Sequence, residues 1–168
     1  MASGLVRGAL AGAAGTTALN ATTYLDMAVR GRAPSDAPQD LIEKAARDAG
    51  LRVPGEGETR EHRLQGLGPL VGMAVGVGVG ALAGAAQAAL ARRGRRLPVV
   101  VGAALIAAGA MALADVPLKL FGISDPRTWS AGDWAGDIVP HLVYGAVTWA
   151  SLDGTGPGSS VTTRARWR

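Results

Sequence analysis

Five glycines recur at every fourth position within an uncharged stretch that runs from Gly66 to Ala86. In a water-soluble helix, each of these glycines would destabilise the helix by roughly 1 kcal/mol relative to alanine. In a bilayer, the backbone must satisfy its own hydrogen bonds whatever side chains it carries, and residues without a side chain let a second helix approach closely. The spacing therefore predicts a membrane-embedded helix with a glycine packing seam, which consists of Gly68, Gly72, Gly76, Gly80 and Gly84.

The charged residues of this 168-residue chain are concentrated between four long uncharged stretches. At about 1.5 Å per residue, a helix of about 18 residues spans about 27 Å, close to the roughly 30 Å thickness of a bilayer core. The fourth stretch is shorter, and a helix long enough to cross there begins near Trp134 and includes Asp137. We expect an all-α integral membrane protein, a four-transmembrane-helix bundle with glycine/alanine-rich packing seams and spans at residues 5–26, 65–91, 97–115 and 135–152.

The long segment between the first two spans contains a different kind of helix. Over residues 38–49 the apolar residues lie on one side and opposite charges stand four apart, which is typical of a surface helix. The helix is expected to end at Gly50. We expect a short amphipathic loop helix on the membrane surface or against the bundle, within a single membrane domain of residues 1–153. Residues 154–168, rich in Gly, Ser, Thr and Arg, are expected to form a flexible basic tail.

The shortest loop, residues 92–96, carries four arginines and no acid. The positive-inside rule predicts that this loop is cytoplasmic, and an even number of spans brings both termini to the same side. We therefore expect a multi-pass protein of the bacterial cytoplasmic (inner) membrane with cytoplasmic N- and C-termini. Its expected partners are the lipid bilayer and either a larger membrane protein complex or further copies of the chain in a homo-oligomer. No nucleic acid is expected, because no soluble basic face is visible.

Each predicted span carries one face of small or polar residues at helical spacing. Such small-xxx-small patterns are typical of close helix packing in membranes, and we expect the four faces to converge. Asn20 lies in an apolar run and is expected to form an interhelical hydrogen bond. The faces are Gly8, Gly12, Thr16, Asn20 and Thr23 in the first span, the five glycines in the second, Ala104, Ala108, Ala112 and Asp115 in the third, and Asp137, His141, Gly145 and Thr148 in the fourth.

Four ionisable residues are expected to approach the outer ends of the spans: Asp26, Asp115, Asp137 and His141. Ionisable groups at membrane depth are candidates for function, because burying them without a partner costs several kcal/mol. A carboxylate set with a histidine can relay protons or hold a divalent ion. The structural alternative is that Asp137 caps the start of the fourth helix, and that His141 then lies in the membrane interface.

Other chemistry is poorly represented in the sequence. Without cysteine, the chain has no disulfide, thiolate nucleophile or zinc–thiolate site. No nucleotide-binding glycine loop, serine-hydrolase elbow or zinc-protease helix occurs, so no catalytic residue, cofactor or metal is predicted. The leading hypothesis is a non-enzymatic accessory or interaction subunit. The alternatives are a small proton-linked transporter or channel that uses the Asp/His cluster, and a membrane enzyme acting on lipid with Asp137 and His141 as acid and base.

Four segments carry a family resemblance: Gly15–Met27, Asp115–Pro117, Ser124–Trp129 and Asp137–Gly145. They resemble a set of small, uncharacterised four-span membrane proteins of high-GC Gram-positive bacteria. The His-Leu-x-Tyr-Gly pattern that closes the last segment is similar to YagU-like inner-membrane proteins, a family linked to acid tolerance. The resemblance implies a location in the inner membrane, and it implies no catalytic residue or cofactor.

Overall fold

The computed structural model of the chain describes residues 2–154, so the predicted basic tail lies outside the described residues except for Gly154. Within that range the protein is all-helical and has no strand. Four long helices cover the four predicted spans, and a short one covers the predicted amphipathic segment. The helices are α1 (Ala2–Arg30), α2 (Ala37–Asp48), α3 (Gly57–Arg92), α4 (Val99–Leu120) and α5 (Ala131–Gly154), with a 3-10 turn at Pro126–Thr128.

The helices are arranged in the order α3, α1, α5, α4. α1 packs against both α3 and α5, and α5 packs against both α1 and α4. α3 and α4 are neighbours in the chain but touch much less, which leaves a gap between them. α2 lies across α3 and reaches α4. Most of the buried side chains come from the α1, α4 and α5 contacts, and the most deeply buried are Tyr144, Thr148 and Leu152.

The interface between α1 and α3 is made largely by glycine. A Cβ added at Gly80 would collide with the Gly12 backbone, and one added at Gly84 would collide with the backbone of Gly4 and Gly8. The two helices are antiparallel, because contacts later in the sequence of α1 are made with residues earlier in the sequence of α3. The backbones approach this closely because neither helix has a side chain at these positions.

Two glycines of the predicted seam lie elsewhere. Gly72 is exposed, and a Cβ added there would meet nothing within 4 Å. Gly68 is buried against Pro38 and Gln39 of α2. Residues four apart advance by about 40° beyond a full turn, so a long series winds away from one partner and towards another. The contact with α1 therefore involves the last three members of the series.

The buried face of α4 differs from the expected one. Ala104, Ala108 and Ala112 are exposed, and the buried residues of this helix are Gly102, Ile106, Ala107 and Ala110. Two contacts with α5 set this orientation: Gly102 lies against the ring of Trp149, and Gly145 lies against the backbone of Ala103 and the side chain of Ala107. Because small residues occur all around α4, their spacing alone did not identify the packed face.

Two helices, α3 and α4, are long and apolar enough to cross a membrane by length and composition, whereas α1 and α5 do not reach the same level of hydropathy. Four helices of this length and hydropathy were expected, and two of them, α3 and α4, are found. The reason is visible in the sequence: the apolar stretch of α1 includes four threonines and Asn20, and that of α5 includes Asp137 and His141.

The short helix α2 is tied to the start of α3 by ion pairs. Glu43 accepts hydrogen bonds from Arg60 of α3 at 2.7 Å and from Arg47 of its own helix at 2.8 Å. These guanidinium groups, with Arg60 the main one, lower the pKa of the Glu43 carboxyl below its ordinary value. α2 itself has no buried residue, as a surface helix does not need one.

Candidate functional site

Three of the four predicted ionisable residues meet where α4 and α5 approach each other. α4 contributes Asp115, and α5 contributes Asp137 and His141, which are one turn apart. Asp115 lies close to both of the others, near enough for the charges of Asp137 and His141 to act on it. The side chains of Asp137 and His141 are 20% and 13% exposed, so the group lies largely inside the helix pair. We call these three residues the carboxyl–imidazole cluster.

One oxygen of this cluster lacks a hydrogen-bond partner. Asp137 Oδ2 is buried and has no partner within the described residues. Ionised carboxylates only accept hydrogen bonds, so an ionised Asp115 cannot donate to it. The cluster therefore contains a buried acceptor that its own carboxylates do not satisfy when both are ionised.

His141 faces this pair through one ring nitrogen. Its Nδ1 lies 2.8 Å from the backbone carbonyl oxygen of Asp137 and 3.3 Å from Asp137 Oδ1. Both neighbours are acceptors, so Nδ1 carries the hydrogen and donates it. The other nitrogen, Nε2, makes no hydrogen bond within the described residues and is the basic position of the neutral ring.

Asp137 is not a helix cap, which corrects the structural alternative. α5 begins at Ala131, so Asp137 lies inside the helix. The cap is Ser130: its hydroxyl oxygen accepts from the Asp133 amide at 3.2 Å, and Asp133 Oδ2 accepts from the Ser130 amide at 2.9 Å. This reciprocal pair is a capping box, with aspartate in place of glutamate at the third helical position.

Asp26 is engaged elsewhere. Its carboxyl forms ion pairs with Arg30 at 3.4 Å and with Arg32 at 2.5 Å. Arg30 also donates to the carbonyl of Gly132, which ties the end of α1 to the start of α5. Asp26 therefore belongs to a salt-bridge group that joins two helix ends.

The prediction of a divalent ion receives no geometric support. Among residues 2–154, no group of three or more His, Asp or Glu side chains is arranged so that it could hold a metal ion.

Deeper in α5, Thr148 belongs to the predicted packing face, whereas its neighbour Tyr144 was not predicted as a contact residue. Tyr144 is 1% exposed, and Thr148, which is fully buried, lies beside it where Gly15 of α1 leaves room for both. The Tyr144 hydroxyl donates to the backbone carbonyl of Gly76 in α3. A buried tyrosine hydroxyl usually requires a partner, and a tyrosine within an apolar span was the available signal for this contact.

The polar residues of α1 make mainly local bonds. Thr16, Thr17 and Thr22 donate to the carbonyls four residues earlier, at 2.8, 3.0 and 2.8 Å, as threonines in helices commonly do. The side chain of Asn20 is half-buried and makes no hydrogen bond within the described residues, so the expected interhelical bond is not seen.

Comparisons with protein-family models, with curated proteins and with solved structures found no match to this chain. The resemblance to four-span membrane proteins therefore stays a prediction.

Proposed function

We propose that this chain is an integral membrane protein in which all four long helices cross the bilayer, and that it acts as a non-enzymatic accessory or interaction subunit. The observation that carries the proposal is the outward orientation of large apolar side chains on all four long helices. Leu10 is 69% exposed and Val100 is 78% exposed. The exposed set includes Leu5, Val6 and Leu10 of α1, Leu70, Val71 and Leu82 of α3, Val99, Val100 and Leu105 of α4, and Ile138, Val139 and Leu142 of α5.

A soluble helical protein would turn these residues inward, because apolar area gains about 25 cal/mol per Å² when it leaves water. Here glycine and alanine make much of the contact between the helices, while many leucines and valines face outward. Hydrocarbon removes the cost of that arrangement. α1 and α5 are less apolar overall, but they too direct large apolar side chains outward.

The distribution of charge supports the proposed orientation, with both termini in the cytoplasm. The N-terminus of α1, the loop 92–96 and the C-terminus of α5 lie at one end, since Gly4 packs beside Ala88 and Arg7 donates to the Leu152 carbonyl. That end has five arginines and one aspartate among the described residues, whereas the other end has nine basic and twelve acidic residues. Positive charge is retained on the cytoplasmic side of membrane proteins.

The accessory role is supported by what the glycine seam does. The seam brings the α1 and α3 backbones into direct contact along Gly4, Gly8 and Gly12, which closes this interface to any solute. A glycine zipper of this kind produces a rigid, narrow helix pair. The outward apolar side chains of this pair are then available to other membrane proteins.

Co-purification tests the proposal directly. The tagged protein is extracted with a mild detergent, captured proteins are identified by mass spectrometry, and each candidate is then tagged in turn for reciprocal capture. We expect a membrane partner at fixed stoichiometry, retained by His141→Ala. A chain that stays monodisperse in buffer without detergent would disprove the membrane location. A well-behaved membrane protein with no reciprocal partner would count against the accessory role alone.

The carboxyl–imidazole cluster favours a second candidate function, a proton-linked transporter or channel. Asp115, Asp137 and His141 lie together between α4 and α5. Each of these helices also has a proline close by, since Pro117 follows Asp115 and Pro140 precedes His141. Proline leaves a helix carbonyl without its amide donor and weakens the helix there. In proteoliposomes with a pH-sensitive dye, this function predicts proton flux that Asp115→Asn and His141→Ala abolish and that Asp48→Asn, on the surface of α2, leaves unchanged.

A further inference from the structure

The gap between α3 and α4 forms an apolar groove at the end that carries the arginine loop. It has a volume of about 280 Å³ and is open along its side. α3 forms one wall, α4 the other, and Trp149 of α5 lies between them; the walls include Val79, Leu82, Ala86, Leu90, Leu97 and Leu105. In the proposed membrane arrangement, this opening faces lipid.

The loop that joins the two walls carries unpaired positive charge. Arg92, Arg93, Arg95 and Arg96 are all exposed, and none of them forms an ion pair or a side-chain hydrogen bond within residues 2–154. The Schellman turn at Gly94 closes the loop tightly, with the Arg95 amide bonded to the Leu90 carbonyl at 3.0 Å. The loop follows Leu90 and precedes Leu97, which both line the groove, so the four arginines lie in sequence at this end of it. The arginines elsewhere in the described chain mostly have partners, as Arg30, Arg32, Arg47, Arg60 and Arg127 do.

We propose that this groove and the arginine loop together bind one anionic phospholipid, with an acyl chain in the groove and the phosphate headgroup on the arginines. The proposal rests on the proposed membrane location and goes beyond the accessory role. The site matches the lipid from end to end. Its apolar groove corresponds to the acyl chain, and its positively charged loop corresponds to the negatively charged phosphate. Arginine is well suited to this role because its planar guanidinium binds phosphate oxygens through two hydrogen bonds.

The charge beside the groove favours an anionic lipid as its occupant. Two polar groups at its mouth are already paired with each other, since Gln87 donates to Asp153 at 3.0 Å. Among the described residues, Asp153 is the one acid at this end, against Arg7 and the four loop arginines, so an anionic headgroup is favoured over a zwitterionic one.

Lipid retention measured by native mass spectrometry tests this inference. The full chain is reconstituted in nanodiscs that contain equal amounts of phosphatidylglycerol and phosphatidylcholine, released gently, and scored for bound lipid of each kind. We expect one retained phosphatidylglycerol per chain. Changing all four loop arginines to glutamine should reduce the preference for phosphatidylglycerol at least about tenfold, since each basic residue near a membrane strengthens binding to anionic lipid several-fold.

A groove variant and two controls separate the parts of the site. Ala86→Trp fills the groove and should lower the retained lipid, whereas Ala74→Trp, an exposed alanine on another face of α3, should not. Arg52→Gln, at the opposite end of the protein, should leave the preference unchanged. Helical content by circular dichroism shows whether each variant is folded. Equal retention of both lipids, or an unchanged preference in the four-arginine variant, would overturn the lipid site while the membrane location stands; failure to enter nanodiscs at all would instead refute the membrane location.

Discussion

The hydroxyl of Tyr144 lies 2.6 Å from the backbone carbonyl oxygen of Gly76 and donates a hydrogen bond to it. This bond joins α5 to α3, two helices that otherwise meet mainly through α1. It is possible because Gly76 has no side chain and Gly15 of α1 leaves space beside the tyrosine ring. A position in the glycine seam thus serves both as a packing surface and as a hydrogen-bond acceptor.

Removing the hydroxyl should measure this bond. We expect Tyr144→Phe to lower the free energy of unfolding in detergent by about 1 kcal/mol, because a buried hydrogen bond is lost while the ring remains. Thermal or denaturant unfolding followed by circular dichroism gives the value. The matched control is Tyr24→Phe, since Tyr24 is 60% exposed. Equal effects of the two changes would contradict a stabilising role for the bond.

The two kinds of glycine in α3 should respond oppositely to alanine. Gly80→Ala places a methyl group against the Gly12 backbone and should destabilise the protein by about 1–3 kcal/mol through overpacking. Gly72→Ala adds a methyl group in open space and should be neutral or stabilising by up to about 1 kcal/mol. Unfolding of both variants in the same detergent tests this. A Gly80→Ala protein as stable as the parent would mean that α1 and α3 are not in direct contact.

The start of α5 should depend on pH through its capping box. Hydrogen bonds from the side chain and the amide of Ser130 lower the pKa of the Asp133 carboxyl below its ordinary value of 3.8. A lowered pKa means that this contribution to stability is present above about pH 4 and is lost as the pH falls through the folded-state value. We expect Asp133→Asn to lower the midpoint of thermal unfolding at neutral pH and to have little effect at pH 2.

Ser130→Ala should lower stability by about 1 kcal/mol, since it removes the cap. Asp48→Asn, at the end of α2, is the matched control because that carboxylate has only an exposed pair with Lys44. If Asp133→Asn behaves like Asp48→Asn at every pH, the capping box does not stabilise α5.

The proposed orientation can be tested by labelling, because the chain has no cysteine of its own. We expect Ser35→Cys to react with a membrane-impermeant maleimide in intact cells, and Arg93→Cys to react only after the cells are permeabilised. The physical reason is the excess of arginine at the end that includes the loop 92–96. Reaction of Arg93→Cys in intact cells would reverse the orientation.

Part of the candidate site was predictable and part was not. Asp137 and His141 are four apart in one helix, so their proximity follows from helix geometry alone. The presence of Asp115 beside them depends on how α4 and α5 cross. The exclusion of Asp26 depends on Arg30 and Arg32, which lie close in sequence and satisfy its charge. The Ser130–Asp133 capping box depends only on residues close in sequence. It starts α5 at Ala131, so Asp137 is not the cap.

The sequence by itself determined the long helices, the tight arginine loop and the glycine spacing of α3, because hydropathy, turn residues and side-chain size act within one segment. Only the tertiary structure decided which face of α4 is buried, which glycines meet α1, and which carboxylates share a site. In helices this rich in glycine and alanine, several faces have side chains small enough for close packing. Which face is packed is decided by a few large side chains, such as Trp149 against Gly102 and Tyr144 against Gly76, and the partners of these side chains lie far away in the chain.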